Sequence, residues 1–187
     1  MRMVLLALLS ALPGVSACAE LVGDQDAHAP GTALGTFHVV GEQRRNSCGA
    51  GALGATRSWE FDVALARDEG ALFWNNGGSV IEGVIEDDQV SFVIESRVVV
   101  DMRAGDAPPG PPCSVERRDQ ARGELDGAGE DVAAFEATLS YDFAPTAGSH
   151  CEDLVVGDLS VAPVFDALPC WMDYDLTGTR SGPPPPE

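Results

Sequence analysis

The sequence predicts an all-β domain: an antiparallel meander of about eight strands, closed as a barrel or folded over as a sandwich. Three observations support this fold class. Apolar residues recur at every second position over long runs, as at Trp59, Phe61 and Val63, which is the period of a half-buried strand. Turn-forming residues separate these runs, as in Asn75–Gly78. No segment of comparable length has apolar residues at helical spacing.

Length and charge limit the classes of function. The chain has 187 residues, which suits one domain, and hydrophobic residues make up 44%, a globular balance. There are 30 acidic and 11 basic residues, all of the latter arginine, for a formal net charge of −19. Because so negative a surface repels phosphate backbones, we predict no nucleic-acid partner.

The first residues are typical of a secretory signal. A single cation, Arg2, precedes an apolar run over residues 3–12, and Pro13 and Gly14 end that run. The run is far shorter than the roughly 20 residues that a membrane-spanning helix needs. We therefore predict that residues 1–17 are a signal peptide.

The segment after the apolar run resembles the lipobox of bacterial lipoproteins, in which a branched apolar residue and two small residues precede a cysteine: Val15, Ser16, Ala17 and Cys18. The resemblance implies that the Cys18 thiol receives a diacylglycerol, that the chain is then cut just before Cys18, and that acyl chains such as palmitate hold the exported protein on a membrane of the cell envelope. Ala19, in place of aspartate, favours the outer membrane over the inner one in that family. An ordinary cleavable signal, with Cys18 left as an unmodified thiol, is the alternative.

The rest of the chain is divided by composition. Residues 18–33 are small, polar and acidic, which predicts a flexible tether, and the prolines of residues 182–187 predict an extended, unpacked tail. Residues 34–181 form the predicted β domain. Its alternating runs and turns predict strands at 35–42, 57–66, 71–75, 79–86, 89–101, 113–125, 131–143 and 170–180. A segment near 153–161 is a ninth candidate strand.

Four cysteines remain in the predicted domain: Cys48, Cys113, Cys151 and Cys170. An even number in an exported chain predicts two disulfides, and the absence of a close Cys-x-x-Cys pair disfavours a zinc site. Four cysteines allow three pairings, among which the sequence does not choose. We prefer Cys48 with Cys113 and Cys151 with Cys170.

The first and last strands carry a resemblance to the lipocalin-like barrels. Gly35-Thr36-Phe37 opens the first strand, and the last strand ends in Gly178-Thr179-Arg180. Lipocalin-like barrels begin with Gly-x-Trp, whose ring is covered by an arginine late in the closing strand; here phenylalanine stands in place of tryptophan. The resemblance implies that the first and last strands are neighbours and that Phe37 lies beneath Arg180.

The chain shows no assembled catalytic set. Its three histidines, His28, His38 and His150, stand in the tether, on a strand face that we expect to meet solvent, and beside a cysteine. A Gly-x-Gly-x-x-Gly pattern at residues 49–54 opens no helix, so it does not predict a phosphate site. We therefore predict no catalytic residue, no metal site and no cofactor, and the sequence does not decide whether the protein is an enzyme.

Two functions are consistent with these features. The chain is similar to uncharacterised secreted lipoproteins of GC-rich bacteria, which favours a non-catalytic structural or interaction module of the envelope with a protein partner. The alternative is a barrel that binds a small apolar ligand, with these candidate lining residues: Trp59, Phe61, Phe92, Phe135, Leu139, Tyr141 and Tyr174. Large inward side chains would fill the barrel, whereas small ones such as Ala133, Ala137 and Gly178 would leave room, so the sequence leaves the choice open.

Overall fold

The structure is a computed structural model that describes residues 29–52, 55–104, 110–129, 131–156 and 163–182. The predicted signal peptide, Cys18, the tether up to residue 28 and the tail from residue 183 lie outside the described residues. The first strand begins at Thr32, two residues before the predicted start of the domain at residue 34.

Eight strands form a single closed barrel. They are β1 (Thr32–Asn46), β2 (Ser58–Asp68), β3 (Ala71–Asn75), β4 (Val80–Ile85), β5 (Ser91–Asp101), β6 (Ser114–Leu125), β7 (Ala134–Pro145) and β8 (Cys170–Gly182). Each strand pairs antiparallel with the next, and β8 pairs antiparallel with β1. The predicted all-β fold class is confirmed, and the architecture is the barrel rather than the sandwich.

Among the described residues there is one helix, α1 (Asp153–Val156), and it lies where a ninth strand was a candidate. That prediction is wrong for residues 153–156, and the rest of the candidate strand lies outside the described residues. A closed barrel leaves no strand edge for another strand to pair with, so this segment forms a single helical turn that buries Leu154. No helix in the described part of the chain could cross a membrane.

The pairing of β1 with β8 closes the barrel. It runs from Thr36 opposite Gly182, through Phe37 opposite Arg180, to Asn46 opposite Met172. The guanidinium carbon of Arg180 lies 5.8 Å from the centre of the Phe37 ring, which is fully buried. The expected contact between Phe37 and Arg180 is thus confirmed. The arginine stem and its charged head cover the ring and separate that end of the core from water.

The four cysteines form two disulfides, as predicted, but the pairing that we preferred is wrong. Cys48 is bonded to Cys170, and Cys113 is bonded to Cys151. Cys48 follows the end of β1 while Cys170 begins β8, the antiparallel neighbour of β1; Cys113 precedes β6 while Cys151 follows its neighbour β7. Each disulfide therefore joins the adjoining ends of two neighbouring strands, an arrangement that follows from strand order and not from spacing.

The two ends of the barrel differ. We call the end at which β1, β3, β5 and β7 begin the closed end. Its interior is filled by large, almost fully buried apolar side chains: Leu34, Phe37, Leu72, Ile85, Phe92, Leu125, Val132 and Phe135. We call the other end, at which β2, β4, β6 and β8 begin, the open end; both disulfides lie there.

At the closed end, aromatic rings lie directly against glycine backbone. A Cβ atom at Gly178 would collide with the Phe135 ring, and one at Gly123 would lie 2.8 Å from Cζ of Phe92. The small residues that the sequence singled out leave no space. Ala133 is exposed ahead of β7, Ala137 is buried in the core, and Phe135 covers Gly178.

Gly178→Ala should lower the free energy of unfolding by roughly 1–3 kcal/mol, because the added Cβ has no room beside the Phe135 ring. Urea unfolding followed by circular dichroism measures the change. Gly182→Ala is the matched control on the same strand, since a Cβ there meets nothing within 4 Å. Equal losses in the two variants would contradict the packing described here.

Removing the two disulfides should have unequal effects. Cys48 and Cys170 are separated by 122 residues, and Cys113 and Cys151 by 38. The chain-entropy model assigns about 5 kcal/mol to the longer loop and about 4 kcal/mol to the shorter one. In urea unfolding, the variant with serines at positions 48 and 170 should therefore be the less stable of the two double variants. A larger loss for the variant at positions 113 and 151 would oppose this prediction.

Candidate functional site

A cavity of about 510 Å³ lies inside the open end of the barrel. Known small-molecule sites have volumes of about 300–1,000 Å³, so this cavity is large enough for a ligand. Its lining combines aromatic and aliphatic side chains with a few polar ones: Thr56, Trp59, Phe61, Trp74, Asn76, Ile81, Ile94, Ser96, Asp119, Ala121, Leu139, Tyr141 and Leu176.

Alternation along β2 and β3 places three aromatic rings on one wall. Trp59 and Phe61 are two residues apart on β2 and therefore point to the same face, with ring centres 5.0 Å apart. The Phe61 ring centre is 6.0 Å from that of Trp74, which comes from β3. We call these three side chains the aromatic wall. Separations of this size are typical of tilted aromatic pairs that stabilise one another.

Glycine on the neighbouring strand makes room for the aromatic wall. Gly41 of β1 pairs with Trp59 of β2, and a Cβ at Gly41 would lie 2.7 Å from Cε2 of the indole. The indole thus rests on the β1 backbone and not in the middle of the cavity. Behind it, the fully buried Tyr174 accepts a hydrogen bond at its hydroxyl from Nε2 of Gln43, 3.0 Å away.

A charged pair faces this wall from β6. Arg117 and Asp119, two residues apart, share the inward face. Nε of Arg117 donates to Oδ1 of Asp119 and Nη2 donates to Oδ2, each at 2.7 Å. The guanidinium carbon lies 5.3 Å from the centre of the Tyr141 ring, and the hydroxyl of Ser96 donates to Oδ2 of Asp119 at 3.5 Å. This bidentate pairing fixes the direction of the carboxylate.

Burial changes the acid–base properties of two lining groups. The Asp119 side chain is 17% exposed, and loss of water raises its pKa above the ordinary value, although the hydrogen bonds from Arg117 act in the opposite direction. Burial, followed by the nearby Asp119 charge, raises the pKa of Tyr141 to about 12. The Tyr141 hydroxyl therefore stays protonated at neutral pH, and Asp119, paired with Arg117, is the one charged side chain among the described lining residues.

The structure separates the seven candidate lining residues into two groups. Trp59, Phe61, Leu139 and Tyr141 line the cavity. Phe92, Phe135 and Tyr174 are almost fully buried in the packed core behind it or at the closed end. All seven face the interior, as alternation predicts, but alternation does not tell which level of the barrel is filled.

The sequence did not single out two other lining residues, Trp74 and Asp119. Trp74 stands on a strand of only five residues, too short to show a clear alternation. Asp119 stands in the charged run of β6, where inward and outward positions are both polar. The alternation along β6 could have identified Asp119. Val115 and Leu125 are both buried, and every second residue between them, including Asp119, points to the same face.

Elsewhere in the described residues, the histidines lie apart from one another and no metal-binding cluster is present. His38 lies on the outside of β1, with Nδ1 3.0 Å from Oδ1 of Asp62 and Nε2 3.6 Å from Oε2 of Glu60. Its side chain is 46% exposed, in agreement with the expectation that it meets solvent. His150 is exposed near the second disulfide, and His28 lies outside the described part. No group of three or more metal-ligating side chains occurs in that part.

Comparison of the chain with protein-family models finds no match, and comparisons with curated proteins and with solved structures find none either.

The raised pKa of Asp119 predicts a pH dependence of stability. The folded chain holds this proton more tightly than the unfolded chain, where the ordinary value is 3.8. Folding is therefore favoured by Asp119 at low pH, and this contribution is lost as the pH rises through the folded-state pKa. The free energy of unfolding of the parent minus that of Asp119→Asn should fall between acidic and neutral pH in urea titrations. A difference that rises over this range would contradict the burial argument.

Proposed function

We propose that the protein is an exported, lipid-anchored binding protein that holds a small, largely apolar molecule in the cavity at the open end of its barrel. The observation that carries this proposal is the aromatic cavity of about 510 Å³ with a single, oriented carboxylate. Cavities that combine an apolar lining with a few fixed polar groups are typical of small-molecule sites.

The contrast between the two ends supports binding over a purely structural role. At the closed end, aromatic rings that lie on glycine backbone fill the interior of this eight-stranded barrel. At the open end, Trp59, Phe61 and Tyr141 remain partly exposed around the cavity. Apolar surface left in water forgoes about 25 cal/mol of stabilisation per Å². A structural module gains nothing from such exposed surface, whereas in a binding protein the ligand covers it.

The proposed anchor fits the direction of the barrel. A diacylglycerol on Cys18 would place the membrane on the N-terminal side of the domain. The chain enters the barrel with Thr32, at the closed end. About 15 tether residues span ~20 Å on average if they behave as a coil. The tether would then leave the domain at the closed end, so that it does not obstruct the cavity at the open end.

Filling the cavity tests this proposal. In residues 18–187 with Cys18→Ser, which lack the predicted signal peptide and the lipid and therefore need no detergent, Ala121→Phe should weaken the binding of a neutral apolar dye such as Nile red about tenfold or more. The reason is that Ala121 lines the cavity, so a phenyl ring there takes the space of the ligand. Dye fluorescence measures the affinity and the stoichiometry.

The matched control is Ala144→Phe, an exposed position on β7 outside the cavity. It should leave dye binding at one site per chain and at the parent affinity. Equal dye affinity in the parent and in folded Ala121→Phe would place the dye elsewhere and would overturn the proposed function.

A further inference from the structure

We propose that the ligand of the cavity is a small amine, protonated at neutral pH, whose ammonium group pairs with Asp119 and whose apolar body packs on the aromatic wall. This inference rests on the proposed function and names the class of its ligand. It is carried by the position of one carboxylate inside an aromatic cavity.

Asp119 is the one charged side chain among the lining residues that the structure describes. Arg117 occupies one acceptor position on each of its oxygens. A carboxylate offers about four acceptor positions, so room remains for a donor from the cavity. The contact with Ser96 is long, 3.5 Å, and a closer donor could replace it. A ligand N–H donor would thus meet a carboxylate that Arg117 already holds in place.

The rings around Asp119 also favour a cation. The faces of tryptophan, phenylalanine and tyrosine carry negative electrostatic potential, which attracts cations within about 6 Å of the ring centre. Arg117 already illustrates this in the same region, since its guanidinium carbon lies 5.3 Å from the Tyr141 ring centre. Trp59, Phe61 and Trp74 offer further ring surface across the cavity, enough for the apolar part of an amine.

Anionic ligands meet unfavourable charge at two levels. The chain has a formal net charge of −19, so its field concentrates cations and repels anions at the mouth of the cavity. Inside, the nearest cation is Arg117, but two of its donors are bound to Asp119 and its side chain is not part of the lining. An entering carboxylate would therefore face Asp119 without a free basic partner among the lining residues.

The acid–base behaviour of Asp119 agrees with this assignment. Burial raises its pKa in spite of the two hydrogen bonds from Arg117, which means that Arg117 does not fully compensate for the lost water. An ammonium group beside the carboxylate would supply the missing stabilisation of its charged form.

Three probes with one apolar body and different charges test the inference: phenylbutylamine, phenylbutanol and phenylbutyrate. Each is titrated by isothermal calorimetry, without detergent, into residues 18–187 with Cys18→Ser, which lack the predicted signal peptide and the lipid. Phenylbutylamine should bind about tenfold or more tightly than phenylbutanol, because a charge-assisted hydrogen bond exceeds a neutral one, and phenylbutyrate should bind most weakly.

Asp119→Asn should abolish the advantage of the amine over the alcohol. Because this variant leaves Arg117 without its partner, the double variant Arg117→Gln, Asp119→Asn gives the same test in a neutral cavity, where the amine and the alcohol should bind within about twofold. Asp142→Asn is the matched control, since it removes one negative charge from an exposed position on β7. It should keep the amine preference of the parent.

The outcomes separate this inference from the proposed function. If phenylbutanol or phenylbutyrate binds the parent as tightly as phenylbutylamine, the cavity binds small molecules but the amine class is wrong. If the amine preference survives in both Asp119 variants, the ammonium pairs elsewhere and the inference is also overturned. If none of the three probes binds the folded parent, the cavity does not accept small molecules and both proposals fall.

Discussion

The antiparallel pairing of β1 with β8 joins the first and last strands of the sheet, and the interior of the protein depends on it. Only when this seam is formed does Arg180 of β8 cover the ring of Phe37 on β1. The disulfide between Cys48 and Cys170 locks the open end of the same seam. Closure also removes the free strand edges that an eight-stranded meander would otherwise expose.

The closed barrel has an unequal interior, and the positions of small residues account for it. At Gly178 and Gly123, rings from neighbouring strands lie on glycine backbone within the filled closed end. At Gly41 the Trp59 ring likewise lies on glycine backbone, but the small side chain of Ala121 elsewhere in the lining leaves space. Each glycine thus sets the inclination of one aromatic side chain. The same composition gives a packed core at one end and, at the other, a cavity whose lining includes the oriented carboxylate of Asp119.

Alternation of apolar residues was enough to predict the fold class, the eight strands and the inward direction of every candidate lining residue. The ends of strands were harder: Arg44 and Arg45 look like loop residues in the sequence, yet they belong to β1, where they pair with Asp175 and Asp173 of β8. Cysteine pairing depended on strand order, which spacing does not encode. Asp119 went unnoticed because its neighbours on β6 are charged on both faces. The level at which the barrel stays open depends on how individual rings tilt, and that is a property of packing in three dimensions.

Native mass spectrometry of the protein released from the membranes of its own host tests the central claim most directly. We expect a chain that begins at a lipid-modified Cys18 and carries one small molecule, bound without a covalent bond and lost on unfolding, whose mass and chemistry are those of an amine. A chain that starts at Met1 without lipid would contradict the proposed anchor. A bare barrel that also fails to take up phenylbutylamine when this amine is supplied would contradict the binding role of the cavity.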